Sequence, residues 1–143
     1  MRVLLPWTEL QDAMAVRLDA SLTGTALAGK IYNYVQQDTQ YPYLFLGEFE
    51  SEDISDKGLA SLVTYARVEV YSGEAGNREC QTLTKAAFSC LTATPLVLGG
   101  TEQRIIGAGQ MRDSPTLNQE FDGVGVVWVG RFRVAFLTQQ IAA

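Results

Sequence analysis

Acid–base chemistry, if this chain performs any, has to draw on the carboxylates of one short stretch. Glu48, Glu50, Glu52, Asp53 and Asp56 fall within nine positions, and Lys57 follows directly. Two carboxylates can divide general acid and general base roles, but acids on a loop are ordinarily solvated and titrate as they do in water. The piece DISDKG approximates a calcium loop, yet it lacks the D-x-D-x-D-G spacing and the closing glutamate. The chain has no histidine, so a serine or cysteine nucleophile has no imidazole base and zinc or haem has no imidazole ligand. GxxxxGK[ST] does not occur. Gly99, Gly100, Gly107 and Gly109 lead into a polar loop and not into a helix, so the context of a dinucleotide fingerprint is missing. Catalytic residues, cofactor and metal ligands are therefore all read as none.

Cys80 and Cys90 lie ten positions apart in a segment with helical periodicity. On a helix they stand about 15 Å apart, beyond the roughly 7 Å that a disulfide can bridge. They are expected to be small buried hydrophobes. The formal net charge is −5, with eleven Lys and Arg scattered along 143 residues. A phosphate-binding surface needs basic residues clustered, so direct binding of nucleic acid is not expected. No apolar run reaches the roughly 18 to 20 residues that a membrane-spanning helix requires. MRVLLPWTEL holds only a stub of an apolar region, broken by Pro6, and predicts a protein made and kept in a cytoplasm.

The length suits one domain, 1–143. Pro6 starts a first helix in which Trp7, Leu10, Met14 and Leu18 recur at helical spacing. IYNYV reads as a strand. YPYLFLG reads as a second strand, central because both its faces are apolar, running out into the acidic loop. In VTYARVEVYS, Ala66, Val68 and Val70 alternate with Tyr65, Arg67, Glu69 and Tyr71, as in a half-buried strand. A second helix runs from an N-cap at Asn77 to about Thr92, with Cys80, Leu83, Ala87, Cys90 and Leu91 as its buried stripe. LVLGG is a short extended piece, RIIGAGQMR a strand and DSPTLNQEFDG a polar connection. In the closing GVGVVWVGRFRVAFLT, residues Val124, Val126, Trp128, Phe132, Val134 and Phe136 share one face, with Arg131 and Arg133 on the other. That strand spans about 47 Å, so Gly125 or Gly130 is expected to mark a bulge or bend.

These elements predict an α+β fold: an antiparallel or mixed sheet of about five strands, with both helices packed on one face. The opposite face keeps Tyr65, Arg67, Glu69, Tyr71, Arg131 and Arg133. Such a mixture of aromatics and both charge signs is either simply solvated or a contact with another subunit, where the arginines would pair with a neighbour's acidic loop. One alternative function is a small-ligand-binding dimer with its pocket between the second helix and the sheet.

Several stretches, taken together and in order, resemble the small tail-completion or tail-terminator proteins of long-tailed bacteriophages, prophages and gene transfer agents. They are GTALAGKIYNYV, YPYLFLGE, DISDKG, EAGNRECQTLTKAAFSCL, LVLGGTEQRIIGAGQMRDSP and RFRVAF; VQQDTQYP departs from the pattern in one turn. The resemblance implies a fold similar to the lambda-type tail terminator and no catalytic residues. It also implies a homo-oligomeric, hexameric ring that caps the tail tube protein and offers a surface to the head–tail connector or stopper protein. DNA would pass through such a ring without being specifically bound, and no membrane is involved. The expected place is the tail or neck of a virion assembled in the cytoplasm of a bacterial host. A head-to-tail adaptor on the connector side is the alternative within this class. Glu48, Glu50, Glu52, Asp53, Asp56 and Lys57 are expected to face the lumen or the tube, where acids repel DNA. The aromatic and charged sheet face is expected to form the contact between subunits, which must close on itself to make a ring.

Overall fold

A computed structural model describes residues 4–36, 38–56, 58–100 and 102–141. The order is α1 (Trp7–Ser21), β1 (Ile31–Tyr32), β2 (Tyr43–Asp53), β3 (Ser61–Ser72), α2 (Arg78–Thr92), β4 (Gln103–Met111), β5 (Thr116–Phe121) and β6 (Val126–Gln140). The six strands form one mixed sheet in the order β1-β2-β3-β6-β4, with β5 also pairing β6. Only β1 and β2 run parallel. The α+β class and both helices on one face agree with the sequence; the strand count is six and not about five.

The additional strand is β5, inside what reads as the polar connection DSPTLNQEFDG. Its outer edge is open and its residues are mostly exposed, so it carries no run of apolar side chains to announce it. It nevertheless occupies the same flank of β6 as β4 does. β4 pairs with residues 134–140 of β6 and β5 with residues 126–131. The two are therefore successive halves of one hairpin arm, interrupted by residues 112–115.

One cluster joins Leu10, Met14 and Leu18 of α1, Leu83, Ala87 and Leu91 of α2, and the helix-facing side of the sheet. That side is Leu44 and Leu46, then Ala66, Val68 and Val70, then Phe132, Val134 and Phe136. Period-2 alternation in the strands and heptad-like spacing in the helices place these residues inward. Trp7 departs from the expected helix stripe: it is exposed, and its indole donates to Ser51 Oγ at 2.8 Å. Cys80 is buried and Cys90 half-buried, both as free thiols. Burial raises both thiol pKa values, which keeps them protonated.

Other local expectations are corrected. Of IYNYV only Ile31 and Tyr32 pair, so β2 is central only over its first residues, and its later edge is open. Asn77 stands at the start of α2, but its side chain accepts from Gln81 Nε2 and does not cap the helix. In β6 the unshifted ladder keeps Trp128, Phe132, Val134 and Phe136 on one side, as expected, but Val124 and Val126 are exposed, and Val127 and Val129 on the other side are buried. Gly130 is no bulge, since β6 pairs with β3 through it without a shift. A Cβ there would lie 2.1 Å from Thr84 Oγ1, so glycine is what lets α2 approach the sheet.

Candidate functional site

The helix-free face of the sheet gathers the charged residues, and one inserted residue decides which of them arrive there. In β2, Tyr43, Phe45 and Gly47 oppose Tyr71, Glu69 and Arg67, but Phe49 opposes Ala66. Glu48 is the extra residue of this bulge, with φ of +58°, the left-handed region. The bulge reverses the faces of everything after it. Phe49 packs against the core, while Glu50 takes the place opposite Tyr65 on the helix-free face. The acids Glu48 to Asp53 therefore belong to a strand and not to the loop expected from the sequence. Without the bulge Glu50 and Glu52 would point under the helices and Phe49 into water.

Arg67 donates to Glu48 at 2.6 Å across the bulge. Arg131 on β6 bridges Glu69 of β3 and Glu120 of β5. Arg133 donates to Asp113, in the segment between β4 and β5, at 2.6 Å and reaches Glu50 at 3.4 Å. Tyr65 donates to Glu52 at 3.2 Å, and the Arg112 guanidinium lies 4.6 Å over the Tyr65 ring. A shallow depression of about 400 Å³ opens between Glu48, Glu50, Arg67, Asp113 and Arg133. Tyr65, Arg67, Glu69, Tyr71, Arg131 and Arg133 thus share one surface, as read from the sequence. Their arginines are neutralised by acids of their own chain.

Hydrogen bonding to Glu48 raises the Arg67 pKa, and the bond to Glu120 does the same for Arg131. Arg131 in turn holds the Glu120 carboxyl below its ordinary value. At one end of the face Tyr43 stacks on Tyr71 at 4.8 Å and on Tyr41 at 5.5 Å. Tyr41 donates to Asp122, in the β5–β6 turn, at 2.7 Å. Burial, aided by Glu69, pushes the Tyr71 phenol up to about 12. Backbone N–H groups of Gly125 and Val124, with the Tyr41 hydroxyl, keep the Asp122 carboxyl low.

Not every expected acid joins this surface. Asp53 falls on the opposite side of β2, where the Ser55 side chain and then the Ser55 backbone N–H, at 2.8 Å, lower its pKa. Asp56 sits in the β2–β3 turn, bridged to Leu59. Lys57 lies outside the described residues. Sequence reading missed Tyr41, Tyr43, Asp113, Glu120 and Asp122; the one available signal was charge complementarity between DSPTLNQEFDG and the two arginines of RFRVAF.

Among the described residues no group of three or more His, Cys, Asp or Glu is placed to hold a metal ion. No helix among them is long and apolar enough to cross a membrane. Between α2 and β5 a groove of about 220 Å³ is lined by Lys85, Phe88, Leu117 and Phe132. That is below the roughly 300 to 1,000 Å³ of ordinary small-molecule sites.

The family model of tail completion protein gp17 matches residues 12–122. Among solved structures, a chain of the virion of a native gene transfer agent (GTA) particle is similar to this one, with a TM-score of 0.72 and 21% sequence identity. The likeness covers 94% of this chain and 96% of that one. At that identity it establishes a shared fold. No curated protein matches the chain. The matched span takes in the whole acidic half of the helix-free face and ends in the β5–β6 turn. The chain belongs to the tail completion protein gp17 family and is a structural protein of a phage-type tail.

Proposed function

We propose that copies of this chain form a ring, hexameric by resemblance, that caps the tail tube, ends its polymerisation and offers the head connector a surface to join. The observation that carries this reading is the distribution of charge over the helix-free face. Arg67, Arg131 and Arg133 lie half-buried and ion-paired over the middle of the sheet, whereas Glu48, Glu50 and Glu52 stand exposed along the open edge of β2. An acidic edge of this kind repels a phosphate backbone and also blunts unwanted strand addition. We assign that edge to the lumen or the tube-facing rim. The internally neutralised remainder of the face, from Tyr65 to Arg133, is assigned to contact within the assembly. A particle related to gene transfer agents or phages is the expected location, with DNA passing through the ring unbound.

The test is charge reversal at Glu50, Glu52 and Asp53, with purified tube protein as partner. Rings seen by negative stain and co-sedimentation with tubes are expected from the parent chain and are expected to fail in the triple variant. Unchanged rings and unchanged particle titre would count against the lumen assignment. An adaptor on the head side remains the second reading, because a flat, ion-paired face suits a connector equally. Pull-down by purified connector but not by tube protein would favour the adaptor. The ligand-binding alternative rests on the groove beside α2. It requires a dimer by light scattering and a thermal shift with ligand, and the small volume of that groove speaks against it.

A further inference from the structure

The helix layer stops short of the end of the sheet. α1 packs on β1 and β2, and α2 on β3, β4 and β6. β5 has no helix over it. Leu117 lies opposite Gly130, which faces α2, and Phe121 lies opposite Val126, so these positions share the helix-facing side. Phe121 is 73% exposed and Val126 52%. An apolar side of a sheet left bare beyond its covering helix calls for another element to cover it.

The groove between α2 and this bare strip has a basic rim. The exposed charges of α2 are Arg78 and Lys85, on one stripe with Gln81 and Phe88. The far flank of α1 has the opposite character. Its exposed charges are Glu9, Asp12 and Asp19, set around Val16, which is 70% exposed. The one base of α1, Arg17, is turned inward onto the carbonyls of Cys90, Thr94 and Pro95. Val97, 85% exposed, continues the apolar strip beside Val16 and Ala20.

We propose that the acidic flank of α1 from a second copy of this chain seats in the α2–β5 groove, extending the helix layer over the bare side of the hairpin. Val16 meets Leu117 and Phe88, while Glu9, Asp12 and Asp19 face Arg78 and Lys85. A helix ridge in an apolar groove is a recurrent mode of recognition, and complementary rim charges set its register. Each copy uses two different surfaces, so the contact is head-to-tail and propagates into a ring or a filament instead of stopping at a dimer. This rests on the self-assembly reading above and assigns the lateral contact to the helix layer, leaving the helix-free face for a stacked partner.

The experiment places Val16→Cys and Leu117→Cys in one full-length chain and treats it with a short bismaleimide at high protein concentration. The parent chain, with Cys80 buried and Cys90 half-buried, is the control for background reaction. A covalent ladder beyond the dimer is expected from the double variant, with no ladder from either single variant. Adding Lys85→Glu should reduce the ladder severalfold. Oligomers seen by native mass spectrometry but lacking the Val16–Leu117 cross-link would overturn the proposed contact and leave the ring standing. A chain that stays monomeric at every concentration and gives no ladder also overturns it; the ring is then decided separately by binding to tubes.

Discussion

Glu48 and Arg67 meet at 2.6 Å across the β2 bulge, and the residue that makes this ion pair is the same one that sets the register of the whole acidic edge. Among the described residues Glu48 is the only non-glycine with positive φ. The left-handed conformation costs about 1–2 kcal/mol for such a residue, while an ion pair this exposed contributes about 0–1 kcal/mol. Glu48→Gly is therefore expected to leave the melting temperature unchanged or slightly higher. Deleting Glu48 removes the bulge and leaves a regular ladder, with Gly47 opposite Arg67, Phe49 opposite Ala66 and Glu50 opposite Tyr65. The deletion variant is therefore expected to keep a cooperative thermal transition by circular dichroism, whereas inserting a second residue beside Glu48 turns Phe49 outward and Glu50 toward the core and is expected to abolish that transition.

Arg131 joins three strands through Glu69 and Glu120. The Glu69 side chain is only 12% exposed, so removing its partner leaves a largely desolvated carboxylate unpaired. Arg131→Ala is expected to cost about 2–3 kcal/mol, less than for a fully buried pair because solvent still reaches the site. The double variant Arg131→Ala with Glu69→Ala should regain part of that loss. Urea unfolding of the four proteins of this cycle measures the coupling directly.

At Gly130 the sheet leaves no room for a Cβ beside Thr84 of α2. Gly130→Ala forces its new methyl onto Thr84 Oγ1 and is expected to destabilise by about 1–3 kcal/mol. Thr84→Ala removes the colliding atoms, and the pair of substitutions should be more stable than Gly130→Ala alone. Equal stability of the two would show that the clash relaxes by another route.

The tyrosine stack predicts an alkaline limit to stability. Tyr71 titrates near 12, and Tyr41 and Tyr43 are also raised above their ordinary 10. Between those values the folded chain keeps protons that the unfolded chain has lost. This stabilising contribution is complete below pH 10 and disappears as pH climbs through the folded values. Ultraviolet titration of the six tyrosines should show at least three ionising late, together with unfolding.

The acid side carries the opposite sign. Glu120 and Asp122 are lowered from 4.5 and 3.8, so their contribution is complete above those values and is lost as pH falls through the lower folded ones. Stability measured by denaturant should be level down to about pH 5 and decline below pH 4. The Glu120→Gln variant should decline less steeply.

Much of the architecture was legible because alternation and helical spacing are local. Ala66, Val68 and Val70 declare the inner side of β3, and Leu10, Met14 and Leu18 that of α1, without reference to any other segment. The surface uniting Tyr65, Arg67, Glu69 and Tyr71 with Arg131 and Arg133 followed from the same parity. Charge and the missing histidine were enough to turn attention from reaction chemistry toward surfaces. β5 was not legible, because an exposed edge strand needs no apolar pattern and TLNQEF has the composition of a loop.

What this chain's residues determined by themselves is therefore which side chains prefer the interior and which prefer the surface. Tertiary structure alone decided where the acids point. One added residue at Glu48 inverts every later side chain of β2, and its left-handed backbone is held by β3, whose Arg67 pairs with it from 19 residues away in no fixed local pattern. It also decided that the arginines are answered at home, since Asp113 and Glu120 reach them only because β4 and β5 line the same flank of β6. Local spacing is written into a segment, whereas register and partnership are settled only when separate segments compete for the same ladder of hydrogen bonds.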